Sequence, residues 1–274
     1  MIGQRNNIEF IIKCIDDNKL PRFMLIQGDA GSGKKTFVQE IAKLSNYELV
    51  WFASSVEGVR NLIDLCYTQT KPIIYAISDC DKLSNTAMNA LLKVAEEPPT
   101  NAYIVLTFCA DTLLPTIKSR GTLIIMEPYS RKDKQEFMQS INAKDFIEHK
   151  LDIADNFGEL LVFDNIDFEN LSSFCDNITA NIGKANVGSV LKISKKIKLR
   201  EKDDDSLFDV NIFIKVLLFK FYQLFKRNHD ERYFRSWVTI NSARKDLSKS
   251  YSKQAVIDCM LLDLWSIWNN KENK

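Results

Sequence analysis

The first residues that could bind a ligand form the stretch GDAGSGKKTF at 28–37, which follows the short apolar run FMLIQ. Gly28, Gly33 and Lys34 match the phosphate-loop pattern G-x-x-x-x-G-K-[ST]. The backbone N–H groups of such a loop and the helix N-terminus behind it favour a polyphosphate, and the lysine adds a positive charge. The stretch predicts a nucleotide-binding loop made of Gly28, Asp29, Ala30, Gly31, Ser32, Gly33, Lys34, Lys35 and Thr36.

Two positions that hydrolysis normally requires are occupied by unsuitable residues. The residue after the lysine usually offers a hydroxyl to Mg²⁺, but this chain has Lys35 there, and Thr36 follows one position late. After the apolar run 72–77, where an acidic pair usually helps to hold the metal, the chain has Ser78 and Asp79. Because an ammonium cannot bind a dication and serine is a poor ligand, we expect a degenerate metal site. ATP or ADP would then bind weakly and would not be turned over.

Composition narrows the class of protein. The chain has 274 residues, of which 45% are apolar and 27% charged, as in ordinary globular proteins of two or three domains. The net charge of +1 offers no overall positive field for nucleic acid. The N-terminus lacks a signal-peptide pattern, and Lys215 and Lys220 interrupt the most apolar stretch. We therefore expect a cytoplasmic protein that does not contact membranes.

The cysteine pattern argues against zinc. The six cysteines are scattered without a C-x-x-C pair, and the chain has only two histidines. A structural zinc site needs closely spaced ligands of these types. We expect no metal site, and we interpret the cysteines as core thiols of a reducing compartment.

The alternation of apolar runs and helical patterns predicts an α/β fold. Strands separated by helices at this spacing form a parallel sheet that is covered on both faces. Such sheets bind ligands beyond the carboxyl ends of their strands, which is where the glycine loop begins. The predicted strands are 23–27, 47–52, 72–77, 102–108 and 122–127.

The second half of the chain is predicted to be helical. After Pro128 we predict helices and no strand, including one helix over 143–157 and two or three longer ones near the C-terminus. The run REKDDDS at 200–206 reads as a solvated linker, because adjacent aspartates do not converge on one metal ion. The predicted domains are a nucleotide-binding domain at 1–128, a helical lid at 129–199 and a helical collar at 200–274.

The stretch DKLSNTAMNALLKVAEEPPTNAYIVLTFCADTLLPTIKSRGTLIIMEP, together with GDAGSGKKT, resembles the AAA+ module of clamp-loader subunits. The delta-prime type of bacterial DNA polymerase III is the most similar, and LLKVAEEPP and LLPTIKSR are the most specific pieces. The resemblance extends from Met1 to about Pro128. It implies a hetero-oligomeric ring with gamma/tau-like and delta-like subunits, which acts on a sliding clamp and on primer-template DNA.

The resemblance also implies roles for single residues. Arg120 corresponds to the arginine finger that reaches ATP on a neighbouring subunit, within a Ser-Arg-Cys motif in which Gly121 replaces the cysteine. Thr107 corresponds to the first nucleotide sensor. The segment 2–4 corresponds to residues near the adenine, and Lys184 to the region of a second sensor.

Two functions follow from these features. The first is a clamp-loader subunit that does not hydrolyse ATP itself and donates Arg120 in trans. The second is a motor-type AAA+ ATPase, gamma/tau-like or replication-factor-C-like. In it, Thr36 and Asp79 bind the metal ion and position the attacking water. A small-molecule P-loop kinase would leave LLPTIKSR and the helical second half without a role.

Overall fold

The computed structural model describes residues 1–109, 112–143, 148–198, 208–247, 249 and 252–269. The chain divides into two compact units, Met1–Val162 and Phe163–Lys274. The domain boundaries at 128 and 200 stay predictions, and the predicted linker at 200–206 lies outside the described residues. No described helix is long and apolar enough to cross a membrane.

The first unit contains the predicted five-stranded parallel sheet, which confirms the predicted α/β fold class. The strand order is β2-β3-β4-β1-β5, so the strand before the glycine loop lies inside the sheet. The residue pairs Gln27–Phe108 and Gln27–Ile125 bring the ends of three strands together beside that loop. The strands are β1 (Phe23–Gln27), β2 (Glu48–Phe52), β3 (Ile73–Ile77), β4 (Ala102–Phe108) and β5 (Thr122–Ile125).

Helices cover both faces of this sheet. Ser84 caps one of them by accepting a 3.3 Å hydrogen bond from the Ala87 N–H, as its sequence predicts. Pro115 begins another, because its fixed φ suits the first helical turn. The helices are α1 (Arg5–Asp16), α2 (Lys34–Ser45), α3 (Val56–Cys66), α4 (Asn85–Glu96), α5 (Pro115–Lys118), α6 (Arg131–Ser140), α7 (Glu148–Ile153) and α8 (Phe157–Asp164), the last of which spans the unit boundary.

The alternation of β1 builds two hydrophobic cores. Phe23 and Leu25 point to the face that is packed by α3 and α4, whereas Met24 and Ile26 point to the face packed by α1 and α2. All four side chains are buried. A central parallel strand that is buried on both faces is continuously apolar, which is why FMLIQ lacks polar alternation.

The second unit contains five helices among its described residues. They are α9 (Phe168–Asn181), α10 (Val187–Ser194), α11 (Val210–Asn228), α12 (Glu231–Leu247) and α13 (Lys253–Asn269). The prediction that no strand follows Pro128 is wrong. The two strands β6 (Ile197–Lys198) and β7 (Phe208–Asp209) pair in parallel. At two residues each they are too short to show the alternation by which a strand is recognised.

The cysteines are only partly in the core. Cys66, Cys80 and Cys175 are buried, Cys14 and Cys109 are half-buried, and Cys259 is exposed. Burial raises the pKa of the Cys66 thiol to about 12, so this thiol stays protonated. All six thiols are free, and the core interpretation therefore holds for half of them.

Candidate functional site

The glycine loop lies between β1 and α2 and is tightly closed. Gly31 and Gly33 have φ values of +79° and +83°, a left-handed conformation that glycine adopts without strain. At Gly28 a Cβ atom would lie 2.7 Å from the Ser32 Oγ and 2.8 Å from the Met126 Cβ. The loop conformation therefore requires glycine at all three positions. The arrangement leaves backbone N–H groups near the N-terminus of α2, as a phosphate cradle needs.

Lys34 is buried within this loop. Its Nζ donates to the carbonyl oxygens of Gly28 at 2.7 Å and Asp29 at 2.8 Å, and to the Cys109 Sγ at 3.2 Å. An ammonium has three N–H donors, so these bonds use all of them. Because Cys109 directly follows β4, the sheet register explains its position beside the lysine. A phosphate group that binds Lys34 must compete with these three acceptors.

A cavity of about 550 Å³ opens beside the loop. Its predicted lining residues come from the loop and from the ends of β3 and β4. Those residues are Ala30, Gly31, Gly33, Lys34, Lys35, Thr36, Asp79 and Thr107. Gly28, Asp29, Ser32 and Ser78 lie outside the lining.

Three aromatic side chains, Tyr129, Phe137 and Phe157, form an aromatic wall within the cavity lining. The Tyr129 ring stacks on Phe157 with 3.8 Å between centroids, and Phe157 stacks on Phe137 at 4.3 Å. The Tyr129 hydroxyl donates to the Ser32 carbonyl at 2.6 Å, which ties this wall to the loop. Burial raises the pKa of Tyr129, so the phenol remains a donor. Flat aromatic faces beside a phosphate cradle could hold a base by stacking.

The sequence analysis missed this wall because Tyr129, Phe137 and Phe157 lie beyond Pro128, where the recognisable motifs end. Of the segment expected near the adenine, Ile2 lines the cavity. Gln4 is buried and exchanges two hydrogen bonds with the backbone of Glu127, at 2.7 and 2.9 Å. Lys184 lies in the second unit, in a short 3-10 turn.

The segment 156–158 contacts the glycine loop directly. The Asn156 side chain donates to the Ala30 carbonyl at 3.0 Å, and the Gly158 N–H donates to the Gly31 carbonyl at 3.2 Å. The two backbones are so close that a Cβ on Gly158 would lie 2.6 Å from the Gly31 Cα. The contact therefore requires glycine on both sides.

The same segment corrects the prediction of one helix over 143–157. Residues 144–147 lie outside the described part, and beyond them α7 ends at Ile153 and α8 begins at Phe157. The Asn156 Oδ1 accepts a 3.1 Å hydrogen bond from the Glu159 N–H, so it caps α8. Asparagine favours helix N-caps, and this preference starts a new helix where the apolar pattern alone continues the old one.

The positions that would hold Mg²⁺ do not offer a fitting set of ligands. The Lys35 Nζ lies 5.8 Å from the centre of the Trp51 ring, in cation–π contact. Asp79 has a left-handed backbone, with φ of +55°, and its carboxylate lies 3.5 Å from the Lys82 Nζ. Among the described residues, no three His, Cys, Asp or Glu side chains are grouped to hold a metal. The loop thus has a lysine where a metal-binding hydroxyl is usual, and β3 is followed by Ser78 where an acidic residue is usual.

Arg120 lies outside the cavity lining, two residues beyond α5. Its Nη2 donates to the Glu96 Oε1 at 2.5 Å, and its Nη1 donates to the Thr116 carbonyl at 2.6 Å. Glu96 is the last residue of α4, and Pro98 and Pro99 follow it closely. Its contacts are therefore made with α4 and α5, and it is not among the residues that line the chain's own cavity.

Gly121 occupies the position of the motif's cysteine for a local reason. A Cβ there would lie 2.6 Å from the Leu25 Cγ and 3.1 Å from the Phe23 Cδ1, and Leu25 is fully buried. Because β1 fills this space with larger side chains, Gly121→Cys should lower the free energy of unfolding by about 1–3 kcal/mol. Urea denaturation would measure this change. Thr116→Cys, at an exposed position nearby, is the control, and equal unfolding midpoints for the two variants would contradict the steric argument.

Comparison with known proteins finds similarity to subunits of DNA polymerase III. Residues 54–130 match the family described as DNA polymerase III, delta subunit. A DNA polymerase III subunit gamma from Buchnera aphidicola subsp. Schizaphis graminum is 27% identical and covers 57% of this chain and 53% of the relative. The subunit gamma from Buchnera aphidicola subsp. Acyrthosiphon pisum is 24% identical, with shares of 54% and 50%. The chain thus spans about half the length of these curated relatives.

Solved structures share the fold at low identity. A DNA polymerase III gamma subunit-related protein from Thermotoga maritima aligns with a TM-score of 0.55 and 16% identity, over 96% of this chain and 99% of that one. A RuvB mutant from the same organism aligns with a TM-score of 0.51 and 15% identity, over 81% and 78%.

The sheet order and these likenesses show that the chain shares the fold of these two solved structures. Residues 54–130 are thus similar to a DNA polymerase III delta subunit family, and about half of the chain is similar to curated gamma subunits.

Proposed function

We propose that the chain is a clamp-loader subunit of the delta-prime type. It holds ATP or ADP weakly or not at all, does not hydrolyse it, and donates Arg120 in trans to a neighbouring subunit. It assembles with gamma/tau-like and delta-like subunits, and the complex places a sliding clamp on primer-template DNA.

One contrast carries this proposal. The phosphate loop keeps its glycines and Lys34, but Lys35 takes the position of the metal-binding hydroxyl, and Ser78 that of the acidic residue. Arg120 meanwhile lies outside the chain's own cavity. A guanidinium that stabilises a transferring phosphoryl group can act on another subunit's nucleotide, since it needs only reach and orientation. The altered metal-binding positions, together with an arginine outside the chain's own cavity, support a subunit that assists hydrolysis on a neighbour. They do not support a subunit that hydrolyses ATP itself.

A first test uses the purified chain alone. We expect its ATPase rate with Mg²⁺ to equal that of the Lys34→Ala variant, because neither protein can position metal-bound nucleotide for attack. Release of inorganic phosphate measures both rates, and the DNA-stimulated rate of the complex purified from the native host serves as the positive control. A wild-type rate clearly above that of Lys34→Ala would contradict the proposal.

The names of the relatives favour a second candidate. The two curated relatives are gamma subunits, and a motor-type ATPase would need Thr36 and Asp79 to supply the metal and water contacts. Both residues line the cavity. Hydrolysis by the chain alone that requires Mg²⁺ and is lost in Thr36→Ala would establish this candidate.

A further inference from the structure

We infer that Glu96 is a positioning residue for Arg120, holding its guanidinium in the orientation that a neighbouring subunit's nucleotide would meet. This inference rests on the proposed trans role of Arg120. The inference assigns a function to Glu96, whose position at the end of α4 does not by itself suggest one.

The guanidinium is held from two sides. Glu96 binds Nη2 at 2.5 Å, while the Thr116 carbonyl and the Ser119 hydroxyl bind Nη1 at 2.6 and 3.4 Å. A guanidinium is planar and rigid, so anchoring two of its nitrogens fixes the plane of the whole group. It has five N–H donors, and the contacts made within the described part of the chain leave some of them for another acceptor. The group is therefore fixed without being saturated.

The two anchors belong to elements that share one hydrophobic core. Val94 and Ala95 of α4 and Ile117 of α5 are all buried in the same cluster. Glu97, directly after α4, has a non-helical backbone with φ of −132° and ψ of 76°, and the prolines behind it cannot continue the helix. Glu96 and the carbonyl of Thr116 therefore keep a fixed separation, which a pair of surface loops would not ensure. The side chain of an arginine anchored in this way is already ordered before it contacts a nucleotide, so it loses less conformational entropy in that contact.

Stabilisation alone is a weak explanation for this ion pair. The side chains of Arg120 and Glu96 are 32% and 52% exposed, and exposed ion pairs contribute little to folding. A purely stabilising pair would not affect the turnover of ATP on a different subunit. A positioning pair would, and this difference can be measured.

The test compares variants in the complex reconstituted with the subunits that co-purify from the native host. We expect Glu96→Ala to slow DNA-stimulated ATP hydrolysis about tenfold to a hundredfold at the site that Arg120 serves, so that kcat of the complex falls toward the rate of its other sites. The KM for ATP should not change, because binding occurs on the partner subunit. The double variant Glu96→Ala, Arg120→Ala should be no slower than Arg120→Ala alone, since the carboxylate acts only through the arginine. Glu97→Ala is the matched control and should behave like wild type, because the ion pair uses Glu96.

The outcomes separate this inference from the proposed function. If Arg120→Ala keeps the full rate, the trans role itself is wrong. If Arg120→Ala is slow but Glu96→Ala is as fast as wild type or faster, the positioning role is wrong. Glu96→Gln keeps an oxygen acceptor for Nη2 and should show an intermediate kcat. If thermal unfolding shows that Glu96→Ala does not fold, the kcat of Glu96→Gln tests the positioning role instead.

Discussion

Arg120→Ala will reduce ATP hydrolysis by about 1000-fold or more at the site that this arginine serves in the assembled complex. In the proposed trans role, the guanidinium balances negative charge that develops on the transferring phosphoryl group, and its planar fork can bind two oxygens at once. Arg120 is not among the described residues that line the chain's own cavity, so its replacement leaves that lining unchanged. The steady-state DNA-stimulated ATPase rate of the complex should fall to the rate that its other ATP sites supply, or below that rate.

Phosphate release from the reconstituted complex measures this effect. Arg60→Ala removes an exposed arginine from α3 of the same unit and is the control for the loss of a positive charge. Size-exclusion chromatography should show the same assembly for the wild type and both variants. A complex with Arg120→Ala that assembles and turns over ATP at the full rate would refute the trans role.

A second large effect should come from rebuilding the metal site. In the isolated chain, the double variant Lys35→Ser, Ser78→Asp should bind nucleotide at least about tenfold more tightly with Mg²⁺ than with EDTA. The substitutions supply the hydroxyl and the carboxylate that usually hold the metal. They also remove an ammonium that repels a dication. Lys35 is exposed and its replacement leaves the core intact.

Titration of a fluorescent ATP analogue, with MgCl₂ and with EDTA, gives both affinities. Lys35→Ala alone removes the charge without adding a ligand, so it should show little dependence on the metal. The wild type should show none. If wild-type affinity already increases with Mg²⁺ and loses that increase in Thr36→Ala, the chain has a working metal site, and the motor-type candidate is favoured.

The sheet was predictable because each strand is a short apolar run between helical patterns. The observed β1 and β4 have the predicted bounds, and the glycine loop follows β1 as its pattern requires. Local chemistry determines these features: glycines permit the left-handed turns, and Ser84 caps its helix. A pattern within a few residues is enough to reveal them.

The contacts that complete the site were not predictable, because they join residues far apart in the chain. Tyr129 bonds to Ser32 and Asn156 bonds to Ala30, and neither pair shares a local pattern. Lys34 reaches Cys109 only because β1 and β4 are neighbours in the sheet. The partner of Arg120 was missed for a related reason: two acids before two prolines look like a helix end, and nothing nearby assigns one of them to an arginine.

The glycine pair at positions 31 and 158 has a mechanical consequence. With no side chain between the two backbones, the phosphate loop and the first turn of α8 cannot slide past each other as loosely packed surfaces do. A displacement of the loop relative to α8 would strain the hydrogen bond between the two glycines, and Phe157 with its ring stack directly precedes Gly158. The contact between the two glycines thus couples the phosphate loop to α8. A movement of the loop on phosphate binding would change the position of the aromatic wall.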